Sequence, residues 1–329
     1  MEFRLDEGQV DLQETVARFC AARYPLDGVV AREGAPLDRA VWSELAELGV
    51  LGLLAAEAEG GSGLGALEAA IVFEQLGAHL VPGPLLWSVL AAGRVAGAAT
   101  GDVVVGGVAA SDVVDGTALV EHAADLDVLI VVHDDAVVSH RANDLPAPVA
   151  LEPVDPLTPV SRVRGLTGGE AIGDAAAAGR LRRLGTVLSA ALLTGLAHRS
   201  LEVARAYALE RQQFDAPIGS FQAVKHLLAD MYVRGGLAQS ATYAAAAVLQ
   251  DPGPDDPVRA ASVAKLLASE AAITNASTAI QVLGGMGFTW DMLPNHLLKR
   301  AWVLEHTFGA ADDHATSIGS ALVAAGGGT

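Results

Sequence analysis

The chain has 329 residues, of which 51% are hydrophobic and 18% charged, so it can bury more than one core and is too apolar to be disordered. Thirty-nine acidic residues against 21 basic ones leave a formal net charge of −18, which argues against nucleic acid as a partner, because neutralising phosphates needs a basic surface. The single cysteine, Cys20, excludes a disulfide framework and a thiolate zinc site. The longest apolar run, 186–197, is shorter than the ~20 residues of a membrane span. With no signal-peptide pattern after Met1, a cytoplasmic location is expected and membrane association is not.

The first hundred residues have helical spacing. Asp6 and Gln9 form a capping-box pair, followed by Leu12, Val16, Phe19 and Cys20 at helical intervals up to Pro25. A second helix starts at Asp38, buries Val41, Trp42, Leu45 and Leu48, and stops at Gly49. After the Gly60-Gly61-Ser62-Gly63 loop, a third runs through Leu67, Ile71 and Gln75 and is expected to end at Gly77. A fourth starts at Pro84.

Beyond Gly101 the texture turns to short β-branched runs at 103–105, 117–120, 128–132 and 136–138, then a proline-rich exit. Helical periodicity returns at Gly179, with long segments to about Arg211, over 221–250, and from Asp256 as N-cap with Pro257 at the first position to Leu283. A last segment starts near Pro294 and breaks near Gly309, and the Gly-Gly-Gly-Thr tail is expected to fray. The domains expected are helical 1–100, a short β domain 101–165 and a helical bundle 166–329. Long Ala-rich helices need partners to cover their apolar stripes, so an oligomer is expected.

Two familiar patterns fail. The G-x-G-x-x-A match at Gly61 lacks a preceding strand and a βαβ unit, so it is a tight interhelical loop rather than a dinucleotide site. His306, Asp312, Asp313 and His314 match no metal-ligand spacing; they are read as a solvated face, and no metal is expected.

Two other stretches carry more information. One is Arg211-Gln212-Gln213-Phe214-Asp215-Ala216-Pro217-Ile218-Gly219-Ser220-Phe221-Gln222; the other is Gln281-Val282-Leu283-Gly284-Gly285-Met286-Gly287-Phe288. Plain helix-to-helix loops explain the glycines and prolines. They do not explain an Arg and a Phe three apart at a helix end, nor a Gln one turn before a Gly pair. In order and spacing the two stretches resemble the R-x-x-F-G-x-P-I-x-x-F-Q and Q-x-x-G-G-x-G-F motifs of the acyl-CoA dehydrogenase family, with Asp215 replacing the first glycine. Trp42, Leu45 to Gly49, the Gly60–Gly63 loop and Glu74 to Gly77 extend the resemblance to the N-terminal part.

The resemblance implies a mainly α fold: an N-terminal helical domain, a small central β domain, here truncated, and a C-terminal four-helix bundle. It implies FAD and an acyl-CoA thioester, with electrons leaving to an electron-transfer flavoprotein. It assigns Arg211, Gln213, Phe214, Gln281, Gly284 and Gly285 to cofactor binding, as a half-site for FAD shared across a subunit interface. Arg211 is suited to a pyrophosphate through a charge-assisted fork, Phe214 to packing against the cofactor, and Gln281 to amide hydrogen bonds. The glycines let backbone N–H groups approach phosphate.

The departures matter as much. The family reaction needs a carboxylate base at the carbon α to the thioester. In one of its two family positions this chain has Phe308, within Thr307-Phe308-Gly309; in the other it has Gly185, so no catalytic residue is assigned. Lys299-Arg300 stands where the family has Arg-Asp, and only Ala109-Ala110-Ser111-Asp112 hints at the flavin-facing segment. The pattern resembles the short, base-lacking subunit of heteromeric actinobacterial enzymes of steroid and side-chain degradation, paired with a longer acyl-CoA dehydrogenase subunit. Two other readings stay open: a self-sufficient homo-oligomer with an unexpected base such as Glu305, and a non-catalytic scaffold binding acyl-CoA or a partner.

Overall fold

The computed structural model describes residues 4–253 and 255–326. In chain order, helices precede and follow a small set of strands. They are α1 (Glu7–Arg23), α2 (Arg39–Glu47), α3 (Ala66–Ala78), α4 (Leu85–Ala91), α5 (Ala175–Glu210), α6 (Gln222–Gln250), α7 (Pro257–Leu283), α8 (Leu293–His306) and α9 (Ala311–Gly326). The chain divides into two compact units: 1–31 with 70–81 and 186–329, and 32–69 with 82–185.

Local chemistry accounts for the helix ends. Asp6 and Gln9 form the reciprocal capping box of α1, Asp38 accepts from Ala40 and Val41 N–H, and Asp256 caps α7 with Pro257 at its first position. The first unit is a bundle with an alanine-rich core that includes Ala197, Ala204, Ala238, Ala268 and Ala276. Small side chains let the backbones approach, most closely between α3 and α5. A Cβ on Gly77 would lie 2.1 Å from the Leu192 carbonyl oxygen, and one on Gly195 would lie 2.0 Å from that of Glu74. Gly77 is therefore not the stop that the sequence suggests. The helix runs on to Ala78, and the glycine serves interhelical contact.

The second unit holds the strands. β1 (Val105–Ala109), β3 (Val128–Val132), β4 (Ala136–Arg141) and β7 (Glu170–Asp174) form a sheet in the order β1-β3-β4-β7, with β1 and β3 parallel and the other pairs antiparallel. β2 (Thr117–Glu121), β6 (Val160–Arg164) and β5 (Val149–Leu151) form an antiparallel sheet in the order β2-β6-β5. The last three strands exceed the sequence expectation. Prolines and polar residues break up their hydrophobic signal, and their register comes from pairing with distant strands. The Gly60–Gly63 segment is a tight loop: a Cβ on Gly61 would meet the Ala55 carbonyl at 2.1 Å, and Gly60 and Gly63 have φ of +80° and +60°. No described strand precedes it, as expected. Residues 327–329 of the glycine tail lie outside the described residues.

Candidate functional site

Both singled-out motifs sit at one end of the bundle. The first leaves α5 through Arg211, whose N–H donates to the Tyr207 carbonyl, and forms a hairpin of β8 (Gln212–Gln213) and β9 (Ala216–Pro217). The two turn residues, Phe214 and Asp215, have φ of +52° and +59°. A two-residue loop with both residues left-handed matches the strand twist of a tight hairpin. Aspartate tolerates that region better than most side chains, which explains how Asp215 can stand where the family motif has glycine. Phenylalanine does not tolerate it well. The Phe214 ring is nevertheless 89% exposed and makes only an edge contact with Phe221 at 6.2 Å.

The second motif ends α7. Gly284, with φ +65°, donates its N–H to the Gln281 and Ile280 carbonyls and opens a 3-10 turn, Gly284–Phe288. Gly287 lies where a Cβ would meet the Ile280 carbonyl at 2.4 Å, so it folds the turn onto its helix. Asn295 of α8 holds the turn by donating to the Gly287 and Thr289 carbonyls at 2.7 and 2.8 Å. Gly284 and Gly285 have no atom within 4 Å of a built Cβ, so open space faces both. A shared apolar cluster joins the ends: Val282 and Ala279 pack with Ala204, Ala208 and Met231, flanked by Ile218 and Val224.

Arg211, Gln213 and Gln281 are exposed, and their side chains make no hydrogen bond or ion pair with any described residue. This end therefore carries a guanidinium, two amides, an aromatic ring and open backbone, with its hydrogen-bonding capacity unused. That donor set suits the polar, phosphate-bearing half of a dinucleotide.

The Thr307–Gly309 turn is built in the opposite manner. Thr307, Phe308 and Gly309 form the turn between α8 and α9, with Phe308 half-buried at φ +61°. Lys265 on α7 is fully buried. Its Nζ donates to the Leu304 carbonyl at 2.6 Å, to Ser189 Oγ at 3.1 Å and to the Thr307 carbonyl. The ammonium thus meets the carbonyl end of α8, where helix carbonyls lack partners. Burial pushes the Lys265 pKa down to about 7, while the nearby Glu305 charge acts the other way. His314 bridges Ser262 Oγ at 3.2 Å and the Phe308 carbonyl at 3.0 Å; burial, then the Lys265 charge, lowers its pKa. His314 is thus not part of a solvated face, because α9 turns it inward. No cluster of three metal-ligating side chains is found among the described residues.

Glu305, the candidate substitute base, has a different role. One carboxylate oxygen accepts the Ala311 N–H at 3.1 Å at the start of α9, and the other lies 3.1 Å from His306 Nε2. Arg300 donates to the Val81 carbonyl, Lys299 lies over the Trp290 ring, and Ala110–Asp112 is a 3-10 turn after β1.

The spacing did not disclose one buried network. Glu74 of α3, 4% exposed, accepts from His198 Nδ1 on α5 at 3.1 Å, and from Gln239 at 2.9 Å and Tyr243 at 2.7 Å, both on α6. Burial alone would lower the His198 pKa, but the hydrogen bond and charge of Glu74 raise it overall. Burial and the Glu74 charge raise that of Tyr243. An isolated Glu inside an apolar helix was the only available signal.

Comparison with known proteins fits this geometry. Residues 6–100 match the family model for the acyl-CoA dehydrogenase N-terminal domain, and 179–323 match that for the C-terminal domain. The acyl-CoA dehydrogenase IpdE2 of Mycobacterium tuberculosis is 34% identical over 305 residues, covering 88% of this chain and 89% of the relative. The ChsE4-ChsE5 complex from Mycobacterium tuberculosis aligns with TM-score 0.86 and 27% identity over 98% of this chain and 99% of the other. The Tcur3481-Tcur3483 steroid ACAD G363A variant shares the fold with TM-score 0.84 at 24% identity, over 98% and 99% of the two chains.

Proposed function

The chain belongs to the acyl-CoA dehydrogenase family, and from that premise we propose that it acts as the base-lacking subunit of a heteromeric, FAD-dependent enzyme that desaturates an acyl-CoA thioester. Its task is to deliver a cofactor half-site to a longer partner subunit that holds the flavin ring and the catalytic Glu.

The observation that carries this reading is the contrast at the two motif sites. Arg211, Gln213, Phe214, Gln281, Gly284 and Gly285 lie exposed, their polar side chains unpartnered, at one bundle end, while Phe308 occupies the base position. Bound FAD would supply the hydride acceptor. On the chain's own side, Arg211 would pair with the diphosphate in a fork, Phe214 would cover an apolar face of the cofactor, and the Gln281 amide would exchange hydrogen bonds with it. Gly284 and Gly285 would leave backbone open for close approach. Neither Phe308 nor Gly185 can accept a proton, and Glu305 is engaged in capping α9, so the proton must go to a group on the partner. Among the described residues no helix is long and apolar enough to cross a membrane. A cytoplasmic enzyme passing electrons to an electron-transfer flavoprotein is proposed by family analogy alone. The heteromeric ChsE4-ChsE5 neighbour supports a two-subunit arrangement by analogy.

The test is flavin absorbance of the purified chain, alone and co-expressed with a longer, Glu-bearing homologue. Colour only on co-expression, near one FAD per pair and reduced by Arg211→Ala, is expected. Stoichiometric flavin in the chain alone would overturn the reading.

A further inference from the structure

The turn between α8 and α9 holds a buried histidine that the proposed activity does not use. His314 lies in the first turn of α9 and is 8% exposed. Its Nε2 is 3.0 Å from the Phe308 carbonyl, and its Nδ1 is 3.2 Å from Ser262 Oγ on α7. A carbonyl oxygen only accepts, so Nε2 carries the proton. Nδ1 is then an acceptor, and the Ser262 hydroxyl donates to it. Ser262 is buried, and its hydroxyl has no other hydrogen-bond partner among the described residues. Gly309, at φ +99°, makes the approach possible, since a Cβ there would lie 3.0 Å from His314 Nε2. The neutral ring is thus satisfied at both nitrogens and ties α9 to α7 and to the turn.

Lys265 stands three residues after Ser262 on the same stripe of α7. Its Nζ donates to the Thr307 carbonyl, next in the chain to the Phe308 carbonyl that His314 takes. A buried amine and a buried imidazole therefore grip successive carbonyls of one turn. The carboxylates around them are committed elsewhere. On α8, Glu305 accepts the Ala311 N–H and faces His306. On α9, Asp313 accepts the Ala310 N–H at 3.0 Å, and Asp312 is exposed. From α5, the group that reaches Lys265 is the uncharged Ser189 hydroxyl. Among the described residues no carboxylate forms an ion pair with Lys265 or His314.

We infer that His314 is an acid-operated catch, whose protonation releases the first turn of α9 from the Phe308 turn. The imidazolium carries a proton on Nδ1 as well as on Nε2. Nδ1 then no longer accepts from Ser262, and a buried hydroxyl loses its acceptor. The new charge also sits near Lys265 with no carboxylate paired to it. Opening the turn relieves both costs by hydrating the ring. Burial, then the Lys265 charge, holds the closed-state pKa of His314 below the ordinary histidine value. The open state therefore takes up the proton first, and closure weakens as pH falls below about 6.5. The catch shares no residue with the cofactor half-site and does not depend on it.

The test is hydrogen exchange of the full chain between about pH 8 and about pH 5, corrected for the intrinsic rate at each pH. Peptides within 307–316 are expected to lose protection several-fold in acid, while those of α1 keep theirs. His314→Gln retains a donor for the Phe308 carbonyl but cannot titrate, so its protection should not follow pH. Lys265→Met removes the neighbouring charge, so release should move to lower pH. Should that variant fail to fold, the wild-type ring carries the test by itself: its NMR signal should titrate below the ordinary histidine value. Wild-type protection that is flat with pH would overturn the inference. So would an equal acid loss in His314→Gln, or a His314 signal that titrates at or above the ordinary value.

Discussion

The two ends of α8 and its neighbours invite comparison. At the motif end, Arg211, Gln213 and Gln281 hold unused hydrogen-bonding groups against solvent, and Phe214 exposes its ring in a left-handed backbone. At the Thr307–Gly309 turn the polar groups are paired: Lys265 takes two carbonyls and a hydroxyl, His314 takes the Phe308 carbonyl, and Glu305 takes the Ala311 N–H. Surface that keeps its capacity unspent is available to a partner or ligand. A turn whose polar groups are internally satisfied is built for stability. The chain leaves polar groups unspent at the motif end and pairs those of the Thr307–Gly309 turn internally.

The comparison is most open to breaking at Lys265. Lys265→Ala strips partners from two carbonyls and leaves a cavity, and is expected to cost about 3–5 kcal/mol in denaturant unfolding. Its pH dependence adds a second check. The folded pKa, about 7, lies below the ordinary lysine value, so the unfolded chain binds more protons between the two. Wild-type stability relative to the variant should therefore rise with pH from about 7 upward. A difference that shrinks over that range would mean that the buried amine stays charged.

His198 gives the opposite sign. Its folded pKa is raised through Glu74, so its contribution is present below the ordinary histidine value and is lost as pH rises through the folded one. His198→Gln should flatten the fall in stability over that range by about 1 kcal/mol; an unchanged slope would place the titration elsewhere.

Asp215→Gly should be neutral or stabilising by up to about 1 kcal/mol, since glycine adopts positive φ without a Cβ. A loss would show that the Asp215 carboxylate has a partner in the native protein. The smallest stability effects belong to the motif end, where Arg211→Ala and Gln281→Ala should shift unfolding by less than about 0.5 kcal/mol. If either destabilises as much as Lys265→Ala, the contrast between spent and unspent polar groups fails.

Much of this was legible in the sequence because it is local. One capping box, two N-cap aspartates, an N1 proline and helical spacing located α1, α2, α6 and α7 almost to the residue. The two motifs singled out the residues gathered at one end of the bundle, since a short motif carries its chemistry within a few positions. The strands from 149 to 174 were not legible, nor was the role of Gly77, because pairing register and backbone contact depend on residues far along the chain.

The sequence by itself determined the family and most of the helix boundaries, because each follows from residue identity at fixed spacing. Only the tertiary structure decided that Gly77 and Gly195 bring α3 and α5 together, that Glu74 is the buried hub of three donors, and that Lys265 and His314 pin the turn at Phe308. Those outcomes depend on which distant groups share a desolvated volume. There an unpaired donor or carbonyl costs about 1–3 kcal/mol, so each must find its partner across the fold.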